Sequence, residues 1–588
     1  MNEKINKKAD PAWAVLFLVL VLLTVIGGLK TLFLSADIDE SYAVTMAVRL
    51  CKGDRLFLEM WEPHQLSAVL YAPAAALWLL VCGPYSKGIV LFLRCFGFGI
   101  QALLSLWIYL TLAGKKKDKG ALLAAFLYLN FTPKHIQSPE FTTALYWSVT
   151  ALLLCFYAMI REGRGQSGGE GPKKSARLLP VFAGLCISAM VLCYPACILV
   201  FFYAFLVLLR LDQAEGKNRK RAAAFFITAG VMALCLLLYM ALRGDFAKAL
   251  SDVSFVLSDG SHKQSLLWLW KGHLQAMFSA GCISGGLLVL TFVAEPVLKK
   301  KKKDLSFLWP LFLALQGVYM LWQFHSVDKK VYYDYLPIVF QLALIGGFFL
   351  FFRQRREEEA DGGARKEWLA IAYMISALAT AGVLSMSNLP GVYSFGFLLI
   401  PVVLTIPYGI EEMSRCSKWE KAACLFFLFV MTAQIFAVRI ALVRFSGNQH
   451  RTVFEDYYKV NQGPLAGIRL GADDWKHHDD LLHVFGEQME PEDILLYVGP
   501  DYFIYSLLPP GKIGTGNTIS TPLFSQQLLA YYERFPERVP TILVFETDYI
   551  DDYRKVLSYE PFEEFVNRYF DTEHVEYVGT QIVMKRKK

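Results

Sequence analysis

The segment Ser35-Ala-Asp-Ile-Asp-Glu-Ser-Tyr-Ala-Val44 sets three carboxylates, Asp37, Asp39 and Glu40, at the end of the first apolar run. A low-dielectric border raises the basicity of a carboxylate, which suits it to taking a proton from a hydroxyl. Spacing separates the three acids. If a helix starts after Asp37, that residue is its N-cap, and Glu40 stands at the third position in a capping-box-like pair. Gly53 then supplies the C-terminal stop. Asp39 has no such explanation. At about 100° per residue it falls within the stripe formed by Tyr42, Ala43, Met46, Ala47 and Leu50, with Val44 and Val48 on the other side. An acid on a buried face at a membrane border is costly and points to function.

These residues need a membrane scaffold to hold them. The 588-residue chain is 55% hydrophobic and 19% charged, with a mean hydropathy of +0.37. That is too apolar for an ordinary soluble protein of this size. Its net charge of +7 comes from Lys/Arg runs that abut apolar segments, which is the pattern of orientation signals rather than of a nucleic-acid surface. The 11 cysteines lie mostly in apolar runs, with no CxxC pair and no Cys/His cluster at zinc spacing, so neither a disulfide framework nor a metal site is indicated. The run from Trp13 to Leu34 is too long for a signal-peptide core and reads as a retained first span.

Apolar length and Lys/Arg bias predict about 13 spans, near 13–34, 89–113, 119–133, 141–161, 178–194, 196–211, 222–242, 274–297, 305–324, 336–352, 367–384, 395–411 and 420–441. Lys4, Lys7 and Lys8 put the N-terminus in the cytoplasm. The short segment 66–82 is expected to lie along the membrane surface, because a crossing there would put Lys115 to Lys117 outside. The expected organisation is a polytopic α-helical domain over 1–441, with a first outside loop at about 35–88 carrying two juxtamembrane helices. A soluble extracytoplasmic α/β domain follows over 442–588. In it, 493–499, 541–547 and 576–585 read as strands, and 525–535 and 559–570 as helices. The localisation this implies is a multi-pass protein of the plasma membrane.

After the first span come Asp39-Glu40-x-Tyr42, Gly53-Asp54, Glu62-Pro63-His64-Gln65, a surface helix, and Arg94 entering the next span. This order resembles the GT-C glycosyltransferases, especially the protein O-mannosyltransferase and lipid A aminoarabinose transferase group. The resemblance covers the first third motif by motif and the rest by architecture. His64 and Gln65 stand where that group carries Lys-Pro-Pro. The resemblance implies a GT-C fold and transfer of a sugar from a polyprenyl-phosphate donor to a glycan, lipid or protein acceptor outside the membrane. Asp39 becomes the expected base, with Glu40 as the second catalytic candidate. A leaving lipid phosphate calls for cations nearby. The outside cations include His64, Lys134, His135, His262, Lys263, His325, Lys329 and Lys330. His64, Lys330, His325 and Arg94 are the phosphate-binding candidates, and lipid headgroup contact is the alternative reading of an outside lysine. Lys330 lies in Asp328-Lys-Lys-Val-Tyr-Tyr-Asp-Tyr-Leu-Pro337, which resembles the loop these enzymes use for the donor phosphate. Glu140 matches the family's second acid, which holds the acceptor or a divalent ion, the one cofactor the resemblance raises. Its alternative is an N-terminal acid favoured by the dipole of the following helix. Tyr42, Tyr335, Asn388 and Tyr393 are the cavity-lining candidates, although Asn-x-Pro is also turn chemistry.

Two other classes remain at the level of sequence. A flippase for lipid-linked sugars needs charges deep within spans, whereas here they cluster at the outer border. A non-catalytic membrane protein with a glycan-binding outer domain would tolerate Asp39→Asn. Gly168-Gly-Glu-Gly171 follows no strand and is no phosphate cradle.

Overall fold

The computed structural model describes residues 11–113, 118–165, 178–214, 216, 219–257, 265–300, 308–326, 360–386, 396–413, 417–444, 450–518, 525–546 and 560–587. Ten helices open the chain: α1 (Pro11–Phe33), α2 (Ile38–Cys51), α3 (Gln65–Cys82), α4 (Ile89–Leu112), α5 (Asp118–Leu129), α6 (Phe141–Gly165), α7 (Leu179–Cys193), α8 (Ile198–Ala214), α9 (Lys220–Arg243) and α10 (Phe246–Leu257). Further helices span Leu266–Lys300, Leu308–Ser326, Ala360–Met386, Leu399–Met413 and Lys418–Ala441. Each span expected from the sequence coincides with a helix, except 336–352, which lies outside the described residues. Eight helices among the described residues are long and apolar enough to cross a membrane, and four more are shorter and apolar. α10 lies in the connection between the expected spans 222–242 and 274–297, where apolar length and charge bias assign no element. Its burial explains it, because Ala249 and Val256 pack against Leu58, Trp61 and Leu528, and Asp252 pairs with Arg534 at 3.0 Å.

α3 meets the length and hydropathy of a span, yet both its ends are held by the C-terminal domain. Just before its first residue, Glu62 Oε1 accepts the Thr518 amide at 2.5 Å. Just beyond its last, Ser86 Oγ donates to the Ser506 carbonyl at 3.1 Å, and the Gly88 amide donates to Gly463 O at 3.0 Å. An 18-residue helix is about 27 Å long, so a crossing would put its ends on opposite sides of the bilayer. Contact with one domain at both ends keeps α3 on that domain's side. α2 lies between α3 and the same domain. Thr45 Oγ1 donates to Tyr502 O at 2.8 Å, and Lys52 Nζ donates to the carbonyls of Ser506 and Leu508, each at 2.7 Å.

The C-terminal domain begins with two short antiparallel pairs, β1 (Leu442–Arg444) with β2 (His450–Thr452) and β3 (Tyr457–Lys459) with β4 (Arg469–Gly471). Its main sheet runs in the order β5 (Leu495–Val498), β6 (Ile542–Glu546), β8 (Gln581–Lys585), β7 (Glu576–Val578). β5 and β6 are parallel and the other pairs antiparallel. The parallel connection contains the helix Ser525–Arg534, as a same-direction crossover requires. Both faces of the sheet are covered, so β5 and β6 are apolar without alternation. Leu496, Val498, Leu543 and Phe545 face Leu528, Phe562 and Phe565, while Leu495, Tyr497 and Val544 face Leu481, Tyr502 and Ile504.

Candidate active site

Asp37 caps α2 as its residue type dictates. Its backbone is extended (φ −118°, ψ 147°) and its Oδ1 accepts the Asp39 amide at 2.9 Å. Glu40 does not close the capping box. Its carboxylate takes Arg94 Nε at 2.8 Å and Nη2 at 2.5 Å, together with the Ser138 hydroxyl. The rest of the Arg94 guanidinium donates to the carbonyls of Thr31, Leu32, Leu34 and Ser35. Carbonyls that end a helix at a lipid border lack intrahelical partners, and Arg94 serves those at the end of α1. The Arg94 donors are engaged by the fold rather than open to a phosphate, and Glu40 is the buried counter-ion that holds Arg94.

Asp39 also differs from expectation. The stripe argument put it on the buried face of an amphipathic helix, but every residue of α2 from Glu40 to Leu50 is buried. A sandwiched helix has no solvent face, so its periodicity is uninformative. Asp39 stands at the open end, with 25% of its side chain exposed, and its Oδ2 accepts Lys134 Nζ at 3.0 Å. Lys134 belongs to the turn between α5 and α6. Its own side chain is 3% exposed, and its ammonium lies 4.4 Å from the centre of the Phe141 ring.

The turn that carries Lys134 is held from several sides. Lys134 has φ 56°, a left-handed conformation that costs a non-glycine residue about 1–2 kcal/mol and persists where surroundings over-determine it. Gln101 Nε2 donates to the carbonyls of Tyr128 (2.7 Å) and Phe131 (2.9 Å), and Arg439 Nη2 donates to Gln137 Oε1 at 2.6 Å. On α4, a Cβ at Gly97 would stand 2.0 Å from the Gln137 carbonyl, so glycine is required for the turn to approach. Glu140 ends the turn as the cap of α6. Its Oε2 accepts the Thr142 amide at 2.8 Å, and its Oε1 accepts the Thr143 amide at 2.6 Å and the Thr143 hydroxyl at 2.9 Å. That geometry is the helix-end alternative of the sequence reading.

Around Phe141 the cluster closes. The His64 ring stacks on it at 4.0 Å between centroids and 6° between planes, and Tyr42 meets it edge-on at 6.3 Å. His64 Nδ1 lies 3.3 Å from Cys193 O, and Tyr194 packs against the imidazole at 4.9 Å. Asp39, Tyr42, His64 and Lys134 therefore share one site with Phe141 and Tyr194. Sequence reasoning picked out Asp39, Tyr42 and His64. It noted Lys134 only among the outside cations and missed both rings. The available signal was Lys134 itself, an outside lysine that runs against the charge rule. Lys330, Tyr335, Asn388 and Tyr393 lie outside the described residues. His325 is in the last turn of the helix Leu308–Ser326, and its side chain lies outside the described residues too.

Two further features border this cluster. The first is the buried hub of Arg49, which donates from Nε to Asp54 (2.8 Å), from Nη1 to Glu62 (3.1 Å) and from Nη2 to the Glu59 (2.9 Å) and Thr515 (3.0 Å) carbonyls. Arg538 of the C-terminal domain joins through Asp54 at 3.0 Å. Asp54 and Glu62, the acids of the Gly-Asp and Glu-Pro-His-Gln motifs, thus fasten the first loop to that domain. Burial works to raise the pKa of Asp54, but Arg49 and Arg538 outweigh it and hold it below the ordinary carboxylate value. At Glu62 burial wins over Arg49, and the pKa rises to about 7. The second feature is an apolar groove of about 410 Å³ lined by Val69, Pro73, Leu192, Met232, Cys235 and Tyr239, among others. Leu192 precedes Cys193, whose carbonyl meets His64. Among the described residues, no three His, Cys, Asp or Glu side chains gather in a way that could hold a metal ion.

No protein-family model matches the chain, and no curated protein sequence matches it. Among solved structures, the chain is similar to the archaeal oligosaccharyltransferase AglB from Archaeoglobus fulgidus in complex with an inhibitory peptide and a dolichol-phosphate. The TM-score is 0.43 at 12% identity, covering 97% of this chain and 74% of that one. A structure of the Archaeoglobus fulgidus oligosaccharyltransferase in complex with Zn and sulfate gives a TM-score of 0.37 at 13% identity, covering 97% and 73%.

Proposed function

We propose that the protein is a GT-C-type membrane glycosyltransferase that moves a sugar from a polyprenyl-phosphate donor to an acceptor hydroxyl at the outer membrane face. The observation that carries this reading is the division of labour among the three acids. Asp37 caps a helix and Glu40 holds Arg94, while Asp39, 25% exposed at its side chain, meets a fixed ammonium. In the transfer, the acceptor oxygen bonds to the anomeric carbon and its proton passes to Asp39. The anomeric carbon–oxygen bond to phosphate breaks, and its electron pair leaves with the phosphate. Lys134 is the cation of the cluster that would meet the developing charge, and the His64 ring is the second candidate. The apolar groove that includes Leu192 suits an isoprenoid chain.

The divalent ion raised by the family resemblance does not fit these residues. Both Glu140 oxygens accept from the start of α6, and Asp39 Oδ2 accepts from an ammonium. No step is routed through a metal.

The test replaces Asp39 with Asn in membranes supplied with a panel of labelled undecaprenyl-phosphate monosaccharides. Transfer by D39N should fall about 10²–10⁴-fold, the usual share of a general base. Wild-type transfer by a normally expressed D39N protein would remove Asp39 from this role.

A further inference from the structure

We infer that Lys134 supplies, as a fixed side chain, the positive charge that a divalent ion would supply at Asp39, so that transfer by this chain needs no metal. The inference rests on the glycosyltransferase reading above and names how that site manages charge. Lys134 Nζ stands 3.0 Å from Asp39 Oδ2, so that oxygen already faces a fixed positive charge. Its side chain is 3% exposed, and a buried ammonium is stable only when paired and desolvated together with its partner. The pairing is imposed from several directions: the left-handed backbone of Lys134, the Gly97 approach, the Gln101 and Arg439 bonds, and the Phe141 ring under the ammonium. A surface lysine that swings to the nearest carboxylate has none of these restraints.

The charges nearest the pair are already matched. A small polar cavity of about 30 Å³ beside the pair is lined by Lys30, Arg94 and Lys134, with Asp37, Glu40 and Gln137. Glu40 is already matched to Arg94. A divalent ion on Asp39 would sit within about 4 Å of the Lys134 ammonium, where like charges repel by several kcal/mol at a partly buried dielectric. The arrangement also leaves the ammonium one carboxylate away from the acceptor position. There it orients Asp39 in the resting site and faces the leaving phosphate once Asp39 takes a proton.

Two measurements on the full-length protein in lipid nanodiscs test this. In the first, wild type and D39N are titrated with Mn²⁺ and bound ion is counted by electron paramagnetic resonance. Equal binding is expected, and one extra Mn²⁺ per chain in wild type overturns the inference whether or not transfer is seen. In the second, transfer from the labelled undecaprenyl-phosphate monosaccharides is followed in excess EDTA. Undiminished transfer is expected, and loss that Mn²⁺ or Mg²⁺ restores overturns the inference while leaving the glycosyltransferase reading intact. K134M, which keeps the length without the charge, should lose about 10²–10³-fold in kcat, and K134R should retain most of it. Equal loss in both, with intact folding, makes Lys134 a structural residue and overturns the inference. No transfer by wild type with any donor, with or without metal, refutes the glycosyltransferase reading instead.

Discussion

Two buried carboxyls, one in the first loop and one in the C-terminal domain, are set to hold a proton near neutral pH. Burial pushes Glu62 up to about 7 against the pull of Arg49, and pushes Glu546 up to about 7 against His477. In the unfolded chain each would titrate at an ordinary glutamate value near 4.3. The folded state therefore binds more protons across that interval. Their contribution to stability is full below the unfolded value and is lost as pH rises through the folded one. Attachment of the C-terminal domain, in which Glu62 accepts from Thr518, should weaken from about pH 5 to about pH 8. The weakening should be on the order of 3 kcal/mol for Glu62 alone. E62Q should flatten that slope in a proteolysis assay of domain release run across pH. An unchanged slope in E62Q would mean that the carboxyl stays ionised on Arg49 throughout.

Among the elements, the turn between α5 and α6 matters most, because it carries Lys134, Ser138 and Glu140 to three different neighbours. α4 sets its position. Gly97 leaves room for the Gln137 carbonyl, and a methyl group there would lie 2.0 Å from that oxygen. G97A should push the turn away at a cost of about 1–3 kcal/mol, the usual range for overpacking. Transfer should fall although no residue of the Asp39 cluster has changed. Thermal unfolding together with turnover checks this, and full turnover in G97A would show that the turn has slack. The helices flanking the turn were legible in the sequence because apolar length and caps are local properties. Asp37 shows the same: its type and its place before a helical pattern were enough to identify an N-cap. The partner of Glu40 was not legible. A capping box was the local solution, and Arg94, 54 residues away, provided a stronger one.

Across the whole molecule, a helical membrane domain holds a mixed-sheet domain against α2 and α3. Both ends of α3 touch the C-terminal domain, and the proposed orientation puts the exposed Lys87 just beyond it within reach from outside. In a cysteine-free background, K87C should react with a membrane-impermeant maleimide added to intact cells. Protection of K87C until the cells are opened would make α3 a span and invert the later topology. The charge rule pointed to the same arrangement from Lys115 to Lys117 alone.

Contiguous residues determined the membrane class, the order of helices and strands, the cap at Asp37, and the gathering of charge at the ends of the apolar runs. Each depends on apolar length, spacing or chain-local hydrogen bonding, which a sequence carries directly. Tertiary structure decided what each charge meets. Asp39 and Lys134 are 95 residues apart, and Glu62 and Thr518 are 456 apart. Only packing could show that α2 is buried on every side, which made its periodicity uninformative and left Asp39 as its open acid. A buried charge must find a partner wherever the fold brings one. That requirement links positions whose spacing in the chain carries no trace of the contact.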